Sequence, residues 1–221
     1  MSDVRTEDRV RDRARALEPV RPIPRLRMVV LGVLVLWLLV ALAATLLRGF
    51  EEELLAGAGL MSAPLVIFAG LTVAGLAGIV AAVGAGVPGR ERLVRGALLV
   101  ALTGMAVSAG IGTAMVLRSH AFGSEASFEA HLQCIGVALL VGFLPAIAAV
   151  WFAGRAAPYR PLVAVLAAAA GTAALGAVMA KASCPFLDPA HLMLGHILAP
   201  AAGAVLLTVP LLAVLRRVRR P

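Results

Sequence analysis

Apolar positions along this chain do not alternate or scatter; they collect into six long uncharged runs. The runs are Met28–Leu47, Ser62–Val87, Gly96–Leu117, Leu132–Ala153, Leu162–Ala180 and Ala190–Leu215. Each reaches the roughly 17–25 residues that carry a helix across a bilayer. Lipid offers no partner to backbone N–H and C=O groups, so helices are the spanning form this pattern predicts. Local start signals agree with the runs. Ser127 is placed to cap the fourth helix, Asp188 to cap the sixth with Pro189 at its first position, and Ser62 with Pro64 opens the second. Pro145, Pro200 and Pro210 fall inside the fourth and sixth runs, where kinks are expected.

The predicted fold class is therefore an all-α membrane protein, six transmembrane helices arranged as three hairpins. Composition supports this: 61% of residues are apolar, mean hydropathy is +0.97, and soluble domains hold only about 45–50% apolar residues. Ala41-Leu42-Ala43 resembles a signal-peptide cleavage site. The polar segment before the first run is too long for that, and the run continues past the site, so the first run is read as an uncleaved span.

The net charge of +8 points to nucleic acid only until the charges are located. Connections on one side, including both termini, carry 17 basic residues, against Arg48, Arg118 and Lys181 on the other. The acidic residues divide evenly. Basic residues concentrate on the cytoplasmic side of membrane proteins, so both termini are predicted cytoplasmic in a bacterial inner membrane, with no direct nucleic-acid partner. Three parts follow: a cytoplasmic N-terminal segment over 1–27, a membrane domain over 28–215, and a basic tail over 216–221.

No Asp, Glu, Lys or Arg falls within the spans, which disfavours an ion-coupled transporter. Small residues recur at four-residue spacing at Gly70, Ala74 and Gly78, at Gly104, Ser108 and Gly112, and at Ala168, Thr172 and Gly176. These stripes are read as faces where helices pack closely.

The candidate chemistry is concentrated in ASCPFLDPAHLMLGH, 182–196, which holds one of two cysteines and two of four histidines. The predicted topology puts Cys184 in an external connection and Cys134 about two turns into the fourth helix from the same side. The two thiols share an oxidising compartment, where a disulfide forms if the Cα atoms approach within about 4.4–6.8 Å. His131 shares a helical face with Cys134 and is placed to lower a thiol pKa or join a metal site. His191 and His196 follow Cys184. Two Cys and these His make a candidate soft-metal set. A redox pair, a metal-responsive pair and two packed small residues all remain open, and the histidines are candidates for ligation or for packing.

LEPVRPIPRLR, 17–27, running straight into the first span, resembles the NrsF-type family of bacterial anti-sigma factors, which typically reads Leu-x-Pro-Val-Arg-Arg there. Six spans, a cysteine opening the fourth, and a second cysteine with a nearby Pro and acidic residue match as well. Pro22 stands where a second Arg is common, and Gly195 where a Trp commonly precedes the His. The resemblance implies no enzyme. It implies a protein that binds an extracytoplasmic-function sigma factor through residues such as Leu17, Pro19, Val20, Arg21 and Arg25. Release follows when Cys134 and Cys184 sense heavy metal or oxidative stress. The alternative is a membrane thiol-disulfide oxidoreductase or small carrier using the same cysteines.

Overall fold

The computed structural model describes residues 25–49, 62–119, 126–156 and 158–218, all helix and connection with no strand among them. The proposed partner residues Leu17, Pro19, Val20 and Arg21 lie outside the described residues. Arg25 immediately precedes α1 (Leu26–Arg48). Next come α2 (Ala63–Gly84), α3 (Glu91–Ser119), α4 (Phe128–Arg155) and α5 (Pro161–Lys181). They are followed by α6 (Pro189–Leu206) and the short α7 (Thr208–Val218). The first six are long and apolar enough to cross a membrane.

Helix α5 is the axis of the bundle. It packs on α4, α2 and α6, while α2 also pairs along its length with α3, and α1 leans mainly on α4. Its sequence suits that place: PLVAVLAAAAGTAALGAVMAK offers little but methyl groups and bare backbone, so neighbours approach closely. A Cβ added at Gly176 would strike the carbonyl of Ala138 on α4, and one at Gly171 would lie 3.0 Å from backbone atoms of α2. The other predicted small-residue stripes also meet backbone to backbone. A Cβ at Gly104 would stand 2.6 Å from the carbonyl of Gly70, and the Ser108 hydroxyl donates to the Ile67 carbonyl at 2.8 Å. By contrast Leu31, Leu38, Leu39 and Leu42 of α1 are more than half exposed, an apolar surface compatible with a bilayer.

Helix starts follow the predicted caps. The Ser127 hydroxyl accepts from Ala130 N–H at 3.2 Å, and the Asp188 carboxylate from His191 N–H at 2.8 Å. Ser62 occupies the cap position of α2 without making the side-chain bond.

The sixth run departs most from expectation, because Ala190–Leu215 is not one kinked helix. A turn at Pro189–His191 passes into a π-turn over Leu192–Ile197, an α-helix resumes at Ala199–Leu206, and a further break at Leu207 starts α7. Pro200 and Pro210 fall in the first turns after the two interruptions. There a missing N–H costs little, so each proline restarts a helix instead of bending one. Pro145 sits within an uninterrupted α4. Helix α7 carries on through Arg216 and Arg217 to Val218.

Candidate metal and thiol centre

Three elements converge at one end of the bundle. Helix α4 supplies Cys134 two turns below its cap, the connection after α5 supplies Cys184, and the opening of α6 supplies His191 and His196. All four are buried, with His191 and His196 at 0% exposure. The Cys134 thiol donates to Cys184 Sγ at 3.5 Å, well beyond the S–S bond length of about 2.05 Å, so both cysteines are free. His191 Nε2 lies 3.2 Å from Cys184 Sγ. One ligand atom from each of the four residues can be chosen so that all lie within 4.8 Å of one another, close enough to bind a metal ion.

The connection 182–188 is held by a residue that the sequence shows only as one of three basic charges on its side. Lys181 is buried, and its ammonium folds back to donate to the carbonyls of Cys184 and, at 3.1 Å, of Phe186. A buried ammonium is costly unless its hydrogens are satisfied, so the loop must present carbonyls to it. That fixes the backbone at the thiol. The available signal was compositional: this is the one Lys beside 19 Arg, and a compact ammonium with rotatable donors suits a carbonyl nest better than a planar guanidinium.

His131 stands one turn before Cys134 on α4. Its spacing does put it on the face of Cys134, but Nδ1 is tied back to the Ser127 carbonyl at 2.8 Å, and the ring rests against His191 at 4.7 Å. His191 therefore takes the position beside the thiol. The Phe186 ring, 5.2 Å from that of His191, and Phe68 of α2, edge-on to His196 at 5.8 Å, close the cluster. Gly195 leaves space for the His191 ring: a Cβ there would lie 3.2 Å from Nε2 and 3.5 Å from Cys134 Cβ.

The electrostatics make the two thiols unequal. The hydrogen bond from Cys134 holds the Cys184 thiol well below the usual thiol range. His196 adds to this, and burial opposes it without prevailing. Cys184 is thus the more acidic thiol of the pair, with Cys134 donating to it. A thiolate is the form that binds metals and attacks electrophiles, so the arrangement can do either.

Six helices long and apolar enough to cross a membrane thus surround a buried pair of thiols and a pair of imidazoles. Over residues 14–217 the chain matches the family described as negative regulator of sigma F, and it belongs to that family. No curated protein matches it, and no solved structure does.

Proposed function

We propose that this protein is a membrane-bound anti-sigma factor. It holds an extracytoplasmic-function sigma factor at the cytoplasmic face of the bacterial inner membrane and releases it when the Cys134–Cys184 pair senses heavy metal or oxidative stress from the periplasmic side. The observation that carries the reading is a buried thiol pair 3.5 Å apart in a chain of the sigma-regulator family. The orientation rests on the excess of basic residues in the connections shared with both termini. The N-terminal segment, with Leu17, Pro19, Val20, Arg21 and Arg25, is the sigma-binding element.

Under oxidant, the two thiols each give up one proton and one electron and the sulfurs join, while a peroxide takes both electrons and becomes water. Under metal, the thiols lose their protons to bind the ion. Either event changes how α4, the 182–188 connection and α6 are tied together. Release requires that the bundle have two arrangements which the thiol state biases.

The test is a double substitution, Val20→Ala with Arg21→Ala, read with a sigma-dependent reporter and with immunoblots of membrane fractions. Transcription rises in unstressed cells while the protein stays at its normal abundance. A reporter that remains repressed in that variant assigns the N-terminal segment to lipid and removes it as the partner site.

A further inference from the structure

Helix α6 opens in an unusual geometry, and its two histidines explain why. In an α-helix, residues five apart diverge by about 140° around the axis, so His191 and His196 would face different neighbours. The π-turn over Leu192–Ile197, with Leu198 N–H bonded to the Met193 carbonyl at 3.1 Å, widens the helix by one residue. Both rings now face the thiols, 5.4 Å apart. A π-turn sacrifices regular hydrogen bonding, and such turns concentrate at functional sites.

The hydrogen bonding of His196 specifies its free atom. Nδ1 lies 3.1 Å from the Ala177 carbonyl, which can only accept, so Nδ1 carries the hydrogen. In the neutral ring the lone pair is therefore on Nε2, and that atom is fully buried with no partner. An imidazole whose N–H is fixed by a carbonyl and whose other nitrogen is unoccupied has the preparation seen in metal-ligating histidines. Around it stand the sulfurs of Cys134 and Cys184, 3.5 Å apart, and His191, whose Nε2 is 3.2 Å from Cys184 Sγ. Metal–sulfur bonds of about 2.3 Å and metal–nitrogen bonds of about 2.0–2.1 Å set tetrahedral donors roughly 3.5 Å apart. Two of the observed separations, 3.2 and 3.5 Å, are already close to that value, and the others lie within 4.8 Å.

We propose that Cys134, Cys184, His191 and His196 form a four-coordinate site for one thiophilic divalent d10 ion, Zn²⁺ or Cd²⁺, and that the π-turn serves to deliver His196 to it. The charge balances: M²⁺ displaces two protons from the two thiols, leaving a neutral assembly, which is the form a buried site tolerates. Soft thiolates with imidazole favour such ions over Mg²⁺ or Ca²⁺. His131, tied to Ser127 and stacked outside His191, is not a ligand. This deepens the sensing role proposed above and rests on it for its biological meaning. The binding itself needs no sigma factor, so failure of one reading is distinguishable from failure of the other.

The experiment titrates Cd²⁺ into the reduced full-length protein in detergent, without oxygen, following the thiolate-to-cadmium charge-transfer absorption and proton release. One ion binds per chain, with two protons released. His196→Gln, close to the native side chain in volume, weakens binding roughly 100-fold while the helical circular dichroism is unchanged; even outer-sphere partners of metal ligands are worth about 10–100-fold. His131→Ala binds as the wild type does. Unchanged affinity in His196→Gln, loss of affinity in His131→Ala matching that of a thiol variant, or no charge-transfer band in the wild type overturns the proposal.

Discussion

Helices α5 and α6 are neighbours in sequence, comparable in apolar content and packed together, yet they are built for opposite ends. Helix α5 runs 21 residues as regular α-helix from Pro161 to Lys181; most of its buried residues are Ala or Gly, with Gly171 and Gly176 pressed against the backbones of α2 and α4. Helix α6, over 18 residues, passes through a π-turn before it becomes regular. The difference lies in what each must satisfy. Apart from Lys181 at its end and the Ala177 carbonyl that accepts from His196, α5 demands little more than van der Waals contact, and the closest-packed regular helix supplies that. Helix α6 must aim two imidazoles at two sulfurs five residues apart along its own chain, and regular geometry cannot. Scaffold and site have been separated onto adjacent helices, and the irregularity is confined to the one that carries the chemistry.

The sharpest way to break this comparison is to give α5 a side chain. Gly176→Leu drives the new atoms into the Ala138 carbonyl, which is backbone of another helix and has nowhere to move. The expected loss exceeds the roughly 1–3 kcal/mol typical of overpacking. Folded protein recovered from membranes falls sharply, and thermal unfolding in detergent moves down by many degrees. Gly110→Leu, at a glycine of α3 with nothing within 4 Å, leaves both measurements close to wild type. Equal behaviour of the two variants would mean that α5 is not the close-packed axis.

A second test concerns the chemistry beside α6. Cys134→Ser, Cys184→Ser and the double substitution share one phenotype, loss of the normal reporter response to added metal or oxidant, with folded protein retained. Because the two sulfurs act as a unit, the double substitution is no worse than either single one. Additive, unequal effects, or a full stress response in the double variant, would reduce the cysteines to packed small residues, and the contrast between scaffold and site would lose its basis.

Which of these features were legible in the sequence follows the same division. The spans, the Ser127 and Asp188 caps, and the facing stripes of Gly70, Gly104, Ser108 and Gly176 were readable, because each depends on one helix and its local rules. The approach of Cys134 and Cys184 was readable from topology, since both were placed at one end of the bundle. What could not be read depends on several elements at once. On an α-helical wheel His191 and His196 diverge, so their convergence requires knowing that α6 opens in π geometry. His131 and His191 are equally placed by spacing, and only the bond from His131 to the Ser127 carbonyl decides which one reaches a thiol. Lys181 counted only as one more basic charge because its partners are carbonyls, which have no sequence signature.

The smallest effect is the most discriminating, because it compares one chemical change in two helices. Ser127 caps α4 by accepting from Ala130 N–H at 3.2 Å, and Asp188 caps α6 by accepting from His191 N–H at 2.8 Å. Replacing either by Ala removes a cap worth about 1 kcal/mol, with a range of roughly 0.5–2 kcal/mol. The losses of stability should therefore be similar, a few degrees of unfolding temperature in detergent. The consequences for the thiols should not be. His131 is held by the backbone carbonyl of Ser127, which survives Ser127→Ala, so Cys134 and Cys184 keep their surroundings and react with a thiol reagent at the wild-type rate. Asp188 holds the backbone of His191 itself, one residue before the π-turn, so Asp188→Ala loosens the ring that lies against Cys184 Sγ. Its thiol reactivity should rise several-fold. Equal reactivity in the two variants would show that the start of α6 is held by packing alone, and that its π-turn does not depend on the cap.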